Sequence, residues 1–419
     1  MDDDLADVAS APDISADSEA VSDLPSVVPD SRPDADLAPD GSASDVLGET
    51  SDVAAEEDAI TIDPCDVPGV PPEAVRCYDP PVYGAMVVGK ELIAMRYPSE
   101  NEGDVVLIRD DGVIIDELAV PIDDLWNLIP CGTSLCALSY AWDETEIRIS
   151  SREISVQDSQ LVAAAPSMPL VLPPTSGVRS MTSGEAPALL VGNSDSPWQR
   201  CLLGALPTCE EIPVPVECLD GEFRYPMHAV DGPTSTIIAG QCEYPNVAAS
   251  GIGRPFVFEW ERGTGVTWTT HPGAWVGLSS LRLYPDATGF SVVALQLPHG
   301  GSDDGGSPMG LSLSHVGTDG APGDVWNSPL TDGFNFSATA AVRGGDLLVA
   351  WTGPSGESSS EVRLTFTAAQ GTPTTTTIAP IGYQPGYVAA FGEGYVLGLS
   401  GRLVRLDAAG VPVAWPAPP

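Results

Sequence analysis

Lysine is almost absent from this chain. Lys90 is the single one, and 17 basic residues stand against 59 acidic ones, a formal net charge of −42 over 419 residues. Such a surface repels nucleic acid and anionic membrane surfaces, which are gripped by clustered cations. It leaves divalent cations, a basic partner or plain solubility. No run of 18 apolar residues occurs, so no segment is long enough to span a bilayer as a helix. There is no Cys-x-x-Cys, and the four histidines are not spaced as zinc ligands. Lys90 lies in Gly-Lys-Glu-Leu, not at the end of a phosphate-binding loop. No Gly-x-Ser-x-Gly elbow is present to present a serine nucleophile. No secretion signal is visible either, so export requires a leader removed from this numbering.

What the chain does have is turn chemistry and cysteine. Gly (43) and Pro (41) together make about a fifth of the residues, which suits many short strands joined by turns. The eight cysteines fall into close neighbours in chain order: Cys65 with Cys77, Cys131 with Cys136, Cys201 with Cys209, and Cys218 with Cys242. Eight cysteines allow 105 pairings. The chain-order set is the one in which each bridge stays within one hairpin or one repeat. An even count without metal spacing points to disulfides and an oxidising, extracytoplasmic compartment.

The organising signal is a hairpin that recurs. In 338–351 an apolar run meets a turn at Gly344 and Gly345, and a second apolar run follows. Seven such units can be counted, at 83–95, 127–138, 178–192, 227–240, 280–295, 339–351 and 386–399. Each has a turn glycine: Gly89, Gly132, Gly184, Gly232, Gly289, Gly345 and Gly394. Each also has a small residue near the end of its second run: Ala94, Ala137, Gly192, Ala239, Ala294, Ala350 and Gly398, spaced 43 to 56 residues apart. A second hairpin follows most of these units. In 361–380, Val362, Leu364 and Phe366 alternate with Arg363, Thr365 and Thr367, the period of a half-buried strand. The counterpart at 146–166 fits least well.

Two hairpins per repeat, about every 51 residues, are the signature of a β-propeller blade. The fold expected is therefore all-β: a seven-bladed β-propeller of four-stranded antiparallel blades over residues 64–419. The small residue marks the second strand of each blade, pressed between neighbouring blades. Two stacked β-sandwiches would also show short strands at regular spacing, but would not need that small residue in every repeat. The C-terminal repeat has sequence for all four of its strands, so ring closure need not borrow one from the N-terminus, although 59–63 could add a strand.

Residues 1–63 form a different polymer. They hold 19 acidic residues, one arginine and no aromatic, too little apolar surface to offset chain entropy, and are expected to be a disordered acidic tail. Their Asp/Ala/Pro/Ser mix resembles the tether of a bacterial surface lipoprotein. That resemblance implies a lipid anchor, though no cysteine precedes Cys65 to carry one. The alternative is a solubilising tail on a secreted or periplasmic protein.

Site candidates are few. The repeats lack the Gly-His and Trp-Asp pairs of WD repeats and the regular Gly-Gly doublets of kelch repeats. Gly265-Val266-Thr267-Trp268 resembles the end of the sialidase turn motif, with Gly263 in place of its aspartate, and Phe223-Arg224-Tyr225-Pro226 resembles the sialidase arginine motif. The resemblance implies a glycan-active hydrolase working at the propeller mouth with an arginine cluster and a Tyr/Glu pair; the same residues also read as a glycine turn and a packing tryptophan. His228 falls on a first strand that lines the axis, while His271, His299 and His315 fall on strand ends and loops. For calcium, the loop 300–310 offers adjacent Asp303 and Asp304, and Asp34, Asp36 and Asp40 are loosely loop-spaced; neither matches the twelve-residue calcium loop. Among nine tryptophans, Trp260 and Trp351 lie within strands, and Trp268, Trp326 and Trp415 near fourth-strand ends. The insertions 242–254 and 298–310 project from blade edges. The expectation is an extracytoplasmic binding or scaffolding module, monomeric, taking a protein or glycan ligand at one propeller face, with no catalytic set.

Overall fold

Ala338–Arg343 and Asp346–Pro354 form the expected hairpin, with Ala340 opposite Val349. The turn between them holds Gly344 at φ 60° and Gly345 at φ 94°, the left-handed pair that a two-residue hairpin loop demands and that glycine adopts without strain. Along Asp346–Pro354, Leu348 and Ala350 pack on one side, while Leu347, Val349 and Trp351 pack on the other. Every blade repeats this arrangement. The computed structural model describes residues 65–417 except 100–101, 121–124, 132–133, 184–185, 194–195, 216–221, 244–251, 274–275, 298–309, 329–336, 355–359, 369–370 and 380–382.

The strands make a seven-bladed β-propeller of mostly four-stranded antiparallel blades. Counting outward from the axis, blade 1 holds Val82–Val88, Glu91–Ser99, Glu102–Ile108 and Ile114–Val120. Blade 2 holds Leu125–Cys131, Ser134–Trp142 and Ile147–Gln157, and blade 3 Gly177–Ser180, Ala188–Asn193, Ser196–Leu202 and Thr208–Glu211. Blade 4 holds Glu222–Asp231, Ser235–Glu243, Ile252–Glu261 and Gly265–Thr270. Blade 5 holds Val276–Pro285, Gly289–Leu297, Gly310–Gly317 and the short Trp326–Asn327. Blade 6 adds Ser360–Thr367 and Thr374–Ala379 to its hairpin, and blade 7 begins with Pro385–Phe391, Gly394–Leu399 and Arg402–Leu406.

The core is not one mass but seven apolar seams, each shared by two adjacent blades. Period-2 alternation explains this: odd and even residues of a second strand feed different seams. Ala94, Ala137, Ala239, Ala294 and Ala350 are all buried there. At Gly192 and Gly398 even a Cβ would be too much, lying 2.8 Å from the Trp198 ring and 2.3 Å from the Tyr387 ring. At these two positions the small residue makes room for a large ring. Asp231 adds a buried polar tie between blades 3 and 4. It takes a two-pronged contact from Arg200 (2.6 Å each), with Thr236 at 2.7 Å and Arg262 at 3.3 Å.

Two expectations need correction. In blade 2 the outer edge is split: Gln160–Ala163 and Leu170–Leu172 both pair with the long third strand. The turn into the first piece uses Asp158 and Ser159 at φ 51° and 59° with no glycine, which hides it from turn chemistry. In blade 7 the C-terminal repeat does not complete its own sheet. The fourth strand is Val75–Cys77, antiparallel to residues 402–404. After Leu406 the chain turns on Asp407, which accepts the N–H groups of Ala409 and Val411. The segment that follows carries Pro412 and Pro416, neither with an N–H for a ladder. It makes one bridge, Leu406 to Pro412, and then leaves the edge. Trp415 crosses to the incoming N-terminal segment. Its N–H donates to the Glu73 carbonyl (3.0 Å) and its indole N–H to that of Ala74 (2.9 Å). The acidic tail 1–63, including the strand expected at 59–63, lies outside the described residues.

Cys65–Cys77, Cys131–Cys136 and Cys201–Cys209 are disulfides. Cys242 is disulfide-bonded as well, and its expected partner Cys218 lies outside the described residues. No described cysteine is free. Bridges of this kind indicate an oxidising compartment outside the cytoplasm. No helix among the described residues is long and apolar enough to cross a membrane.

Candidate functional site

The first strands of blades 1 to 6 enclose an axial cavity of about 410 Å³. Most of its polar side chains serve the fold. Each is a latch from one first strand to the next. Asn127 of blade 2 donates to the Ser180 hydroxyl of blade 3 at 2.9 Å. His228 Nδ1 of blade 4 accepts the Leu283 N–H of blade 5 at 3.3 Å. The Tyr284 hydroxyl of blade 5 accepts the Ala340 N–H of blade 6 at 3.0 Å, and Thr339 Oγ1 accepts the Val388 N–H of blade 7 at 3.2 Å. Between blades 3 and 4 the backbone itself pairs, Thr182 with Val230. His228 does reach the axis, as its strand position predicts. Burial, reinforced by the Arg282 guanidinium, pushes its pKa down to about 3, so it stands there as a neutral acceptor. Burial likewise raises the Tyr284 phenol.

Two cavity side chains have no such use. Among the described residues Arg179 of blade 3 bonds its neighbour's carbonyl at Val178 (3.4 Å), and Arg282 of blade 5 is a polar partner of the Tyr284 hydroxyl, which leaves both guanidiniums without a counter-charge. Neither pairs with a carboxylate among the described residues, and no described carboxylate lines the cavity. Elsewhere arginines are engaged: Arg96 with Asp104 and Glu117, Arg200 and Arg262 with Asp231, Arg363 with Glu361, and Arg76 and Arg405 over the Trp415 ring.

A second cavity, about 720 Å³, lies between blades 5 and 6 and holds Asp286, Ser291, His315, Asp324 and Trp326. Its His–Asp pair is not arranged for nucleophile activation. His315 Nε2 meets both Asp286 (3.2 Å) and Thr288 Oγ1 (3.2 Å), so carboxylate and hydroxyl share one ring nitrogen. Activation needs them on opposite nitrogens. Asp286 also accepts the N–H and hydroxyl of Thr288, both at 2.7 Å, which identifies it as a turn former. Those bonds hold its carboxyl below the usual range in spite of burial.

Of the sialidase-like residues, 265–268 line neither cavity. Trp268 packs in the seam between blades 4 and 5, against Gly320, and Thr267 bonds Glu259 across the outer hairpin. Arg224 sits in the first strand of blade 4, with its side chain outside the described set. His271 bonds the Pro255 carbonyl. Asp303 and Asp304, the calcium candidates, lie outside the described residues, as do Asp34, Asp36, Asp40 and His299. The described residues contain no group of three or more metal-ligating side chains.

Most described tryptophans fill seams, Trp198, Trp260, Trp351 and Trp415 being buried. Trp142 is different: it is 57% exposed, at the end of the second strand of blade 2. Tyr97, near the end of the second strand of blade 1, and Tyr83, at the start of its first strand, are 38% and 45% exposed, their rings 5.8 Å apart. Second-strand ends and first-strand starts lie on the same side of a four-stranded blade. These three aromatics therefore share one face of adjacent blades. Neither they nor the two axial arginines stand out in the sequence. The available signal was position: both arginines fall in the first run of a repeat, the strand that lines the axis.

No known family's sequence profile matches this chain, and no curated protein does. Solved structures resemble it at the level of fold. An uncharacterized protein of Listeria monocytogenes is 10% identical with a TM-score of 0.45, covering 82% of this chain and 98% of its own. A Synechocystis apocarotenoid oxygenase is 12% identical with a TM-score of 0.40, over 71% of each chain.

Proposed function

We propose that the protein is a non-enzymatic binding module of the bacterial cell surface or periplasm, taking a neutral glycan on the face of blades 1 and 2. The observation that carries this is the exposure of Tyr83, Tyr97 and Trp142 together on that face, while the other buried or seam-packed aromatics serve the core. Flat rings stack on the apolar faces of sugars, and rigid Tyr and Trp lose little entropy in doing so. Beside Trp142 stand Asp143 and Glu144, both exposed. Asp143 is held below the usual carboxylate range by bonds from Thr145 and Glu146, so it stays an acceptor for hydroxyl donors. The net charge of −42 argues against a polyanionic ligand. The whole face comes from one chain, which suits a monomer. A hydrolase has less support, since the described lining of the axial cavity offers arginines and no carboxylate pair.

A glycan array followed by affinity electrophoresis tests this. Binding to a neutral glycan, weakened about tenfold or more by Trp142→Ala and by Tyr97→Ala, is the expected result. No neutral glycan retained, or both variants binding as wild type, would overturn it. Turnover of the bound glycan would instead establish the hydrolase.

A further inference from the structure

We propose that the axial cavity is a second, separate binding site, for a small dicarboxylate held between Arg179 of blade 3 and Arg282 of blade 5. Cations are outnumbered 59 to 17 in this chain, and most other arginines with described side chains are taken by carboxylates or aromatic rings. Arg179 and Arg282 share one cavity whose described lining holds no carboxylate. The other polar groups of the lining are committed to latches, Asn127 to Ser180, Tyr284 to Ala340 and Thr339 to Val388. They do not neutralise the arginines. They do fix the strands that carry them.

Because His228 Nδ1 accepts the Leu283 N–H, the proton of the neutral ring sits on Nε2. Blade 4 thus adds an N–H donor between the two arginine-bearing blades. Size completes the case. About 410 Å³ suits a small molecule. A guanidinium fork matches a carboxylate in two parallel bonds, and low ionic strength limits screening of that attraction. Two forks call for two carboxylates.

Titration calorimetry of the full chain with succinate, at low ionic strength, tests the assignment, with inorganic phosphate as a second titrant. One-to-one succinate binding is expected, weakened about tenfold or more by Arg282→Gln and by Arg179→Gln. Arg282→Lys keeps the charge without the fork and should also bind more weakly than wild type. Both arginine side chains are exposed to the cavity, so unfolding curves should stay as in wild type; should one variant fail to fold, the other carries the test. No succinate binding, phosphate binding more tightly than succinate, or glutamine variants that bind as wild type would overturn the proposal.

Discussion

Replacing Trp415 should open the ring. The residue is 6% exposed and sits in the seam between blades 7 and 1 with Phe391 and Leu403. Truncation to alanine removes a buried indole, at about 3–5 kcal/mol for a large aromatic in a core. The 2.9 Å bond to the Ala74 carbonyl goes too, about 1 kcal/mol more. Arg76 and Arg405 lose the ring they cover, at 5.6 and 6.0 Å from its centre. Trp415→Phe keeps most of the ring and loses the N–H donor, so it should cost about 1–2 kcal/mol. Urea unfolding followed by circular dichroism gives both values from the midpoint and slope. Trp142→Ala is the control: at 57% exposure it should move stability by less than about 0.5 kcal/mol. A Trp415→Ala cost below about 1 kcal/mol, or equal costs for the alanine and phenylalanine variants, would refute the clasp.

Ala350→Leu should overpack the seam between blades 6 and 7, where Ala350 lies fully buried with Leu348, Leu364 and Val388, at about 1–3 kcal/mol; an unchanged urea midpoint would contradict the strand order. His228 makes the fold acid-sensitive. Its folded pKa, about 3, lies below the unfolded value of 6.5, so below about pH 6.5 the unfolded chain takes up a proton that the fold refuses. Stability is lost as pH falls through that window, and His228→Asn, which keeps an acceptor, should be spared about 2 kcal/mol of the loss between pH 7 and 5; parallel pH profiles for the two would count against the latch. Thiol counting under denaturing conditions should find none of the eight cysteines reactive, and several reactive thiols would contradict an oxidising compartment.

The blades were legible because their inner halves carry two independent marks. A hairpin glycine such as Gly345 fixes where the chain reverses, and a small residue such as Ala350 or Gly398 fixes which strand is squeezed. Inner strands must obey these rules, since both of their sides meet a neighbouring blade. Outer strands are under weaker constraint. Trp326–Asn327 is two residues long, and the blade 2 edge is split. Short edges leave little pattern to read. Ring closure was misread for a different reason. The sequence 403–416 looks like a hairpin by itself, and what decides its fate is a contact from Trp415 to Ala74, 341 residues away. The axial arginines were illegible because a charged residue in a strand reads as solvent-facing until the ring closes around it.

Ring closure and the axial site lie on opposite arcs, and this separates their responses. Closure happens inside blade 7, where Val75–Cys77 contributes three paired residues and Trp415 and the Cys65–Cys77 bridge bear the rest. The donors proposed for the axial ligand sit on blades 3, 4 and 5, across the ring. That arc is continuous in the chain and is tied by Arg200–Asp231, by the Thr182–Val230 pairing and by the His228 latch. Loosening blade 7 therefore lowers global stability without moving Arg179 relative to Arg282. Trp415→Ala, titrated with succinate well below its urea midpoint, should bind as wild type does. Asp231→Asn lies on the donor arc, and breaking a buried charge pair there costs about 3–5 kcal/mol; it should weaken binding even where the protein remains folded. If Trp415→Ala lost affinity while Asp231→Asn kept it, the arcs would not be independent, and the ring would have to be treated as one strained unit.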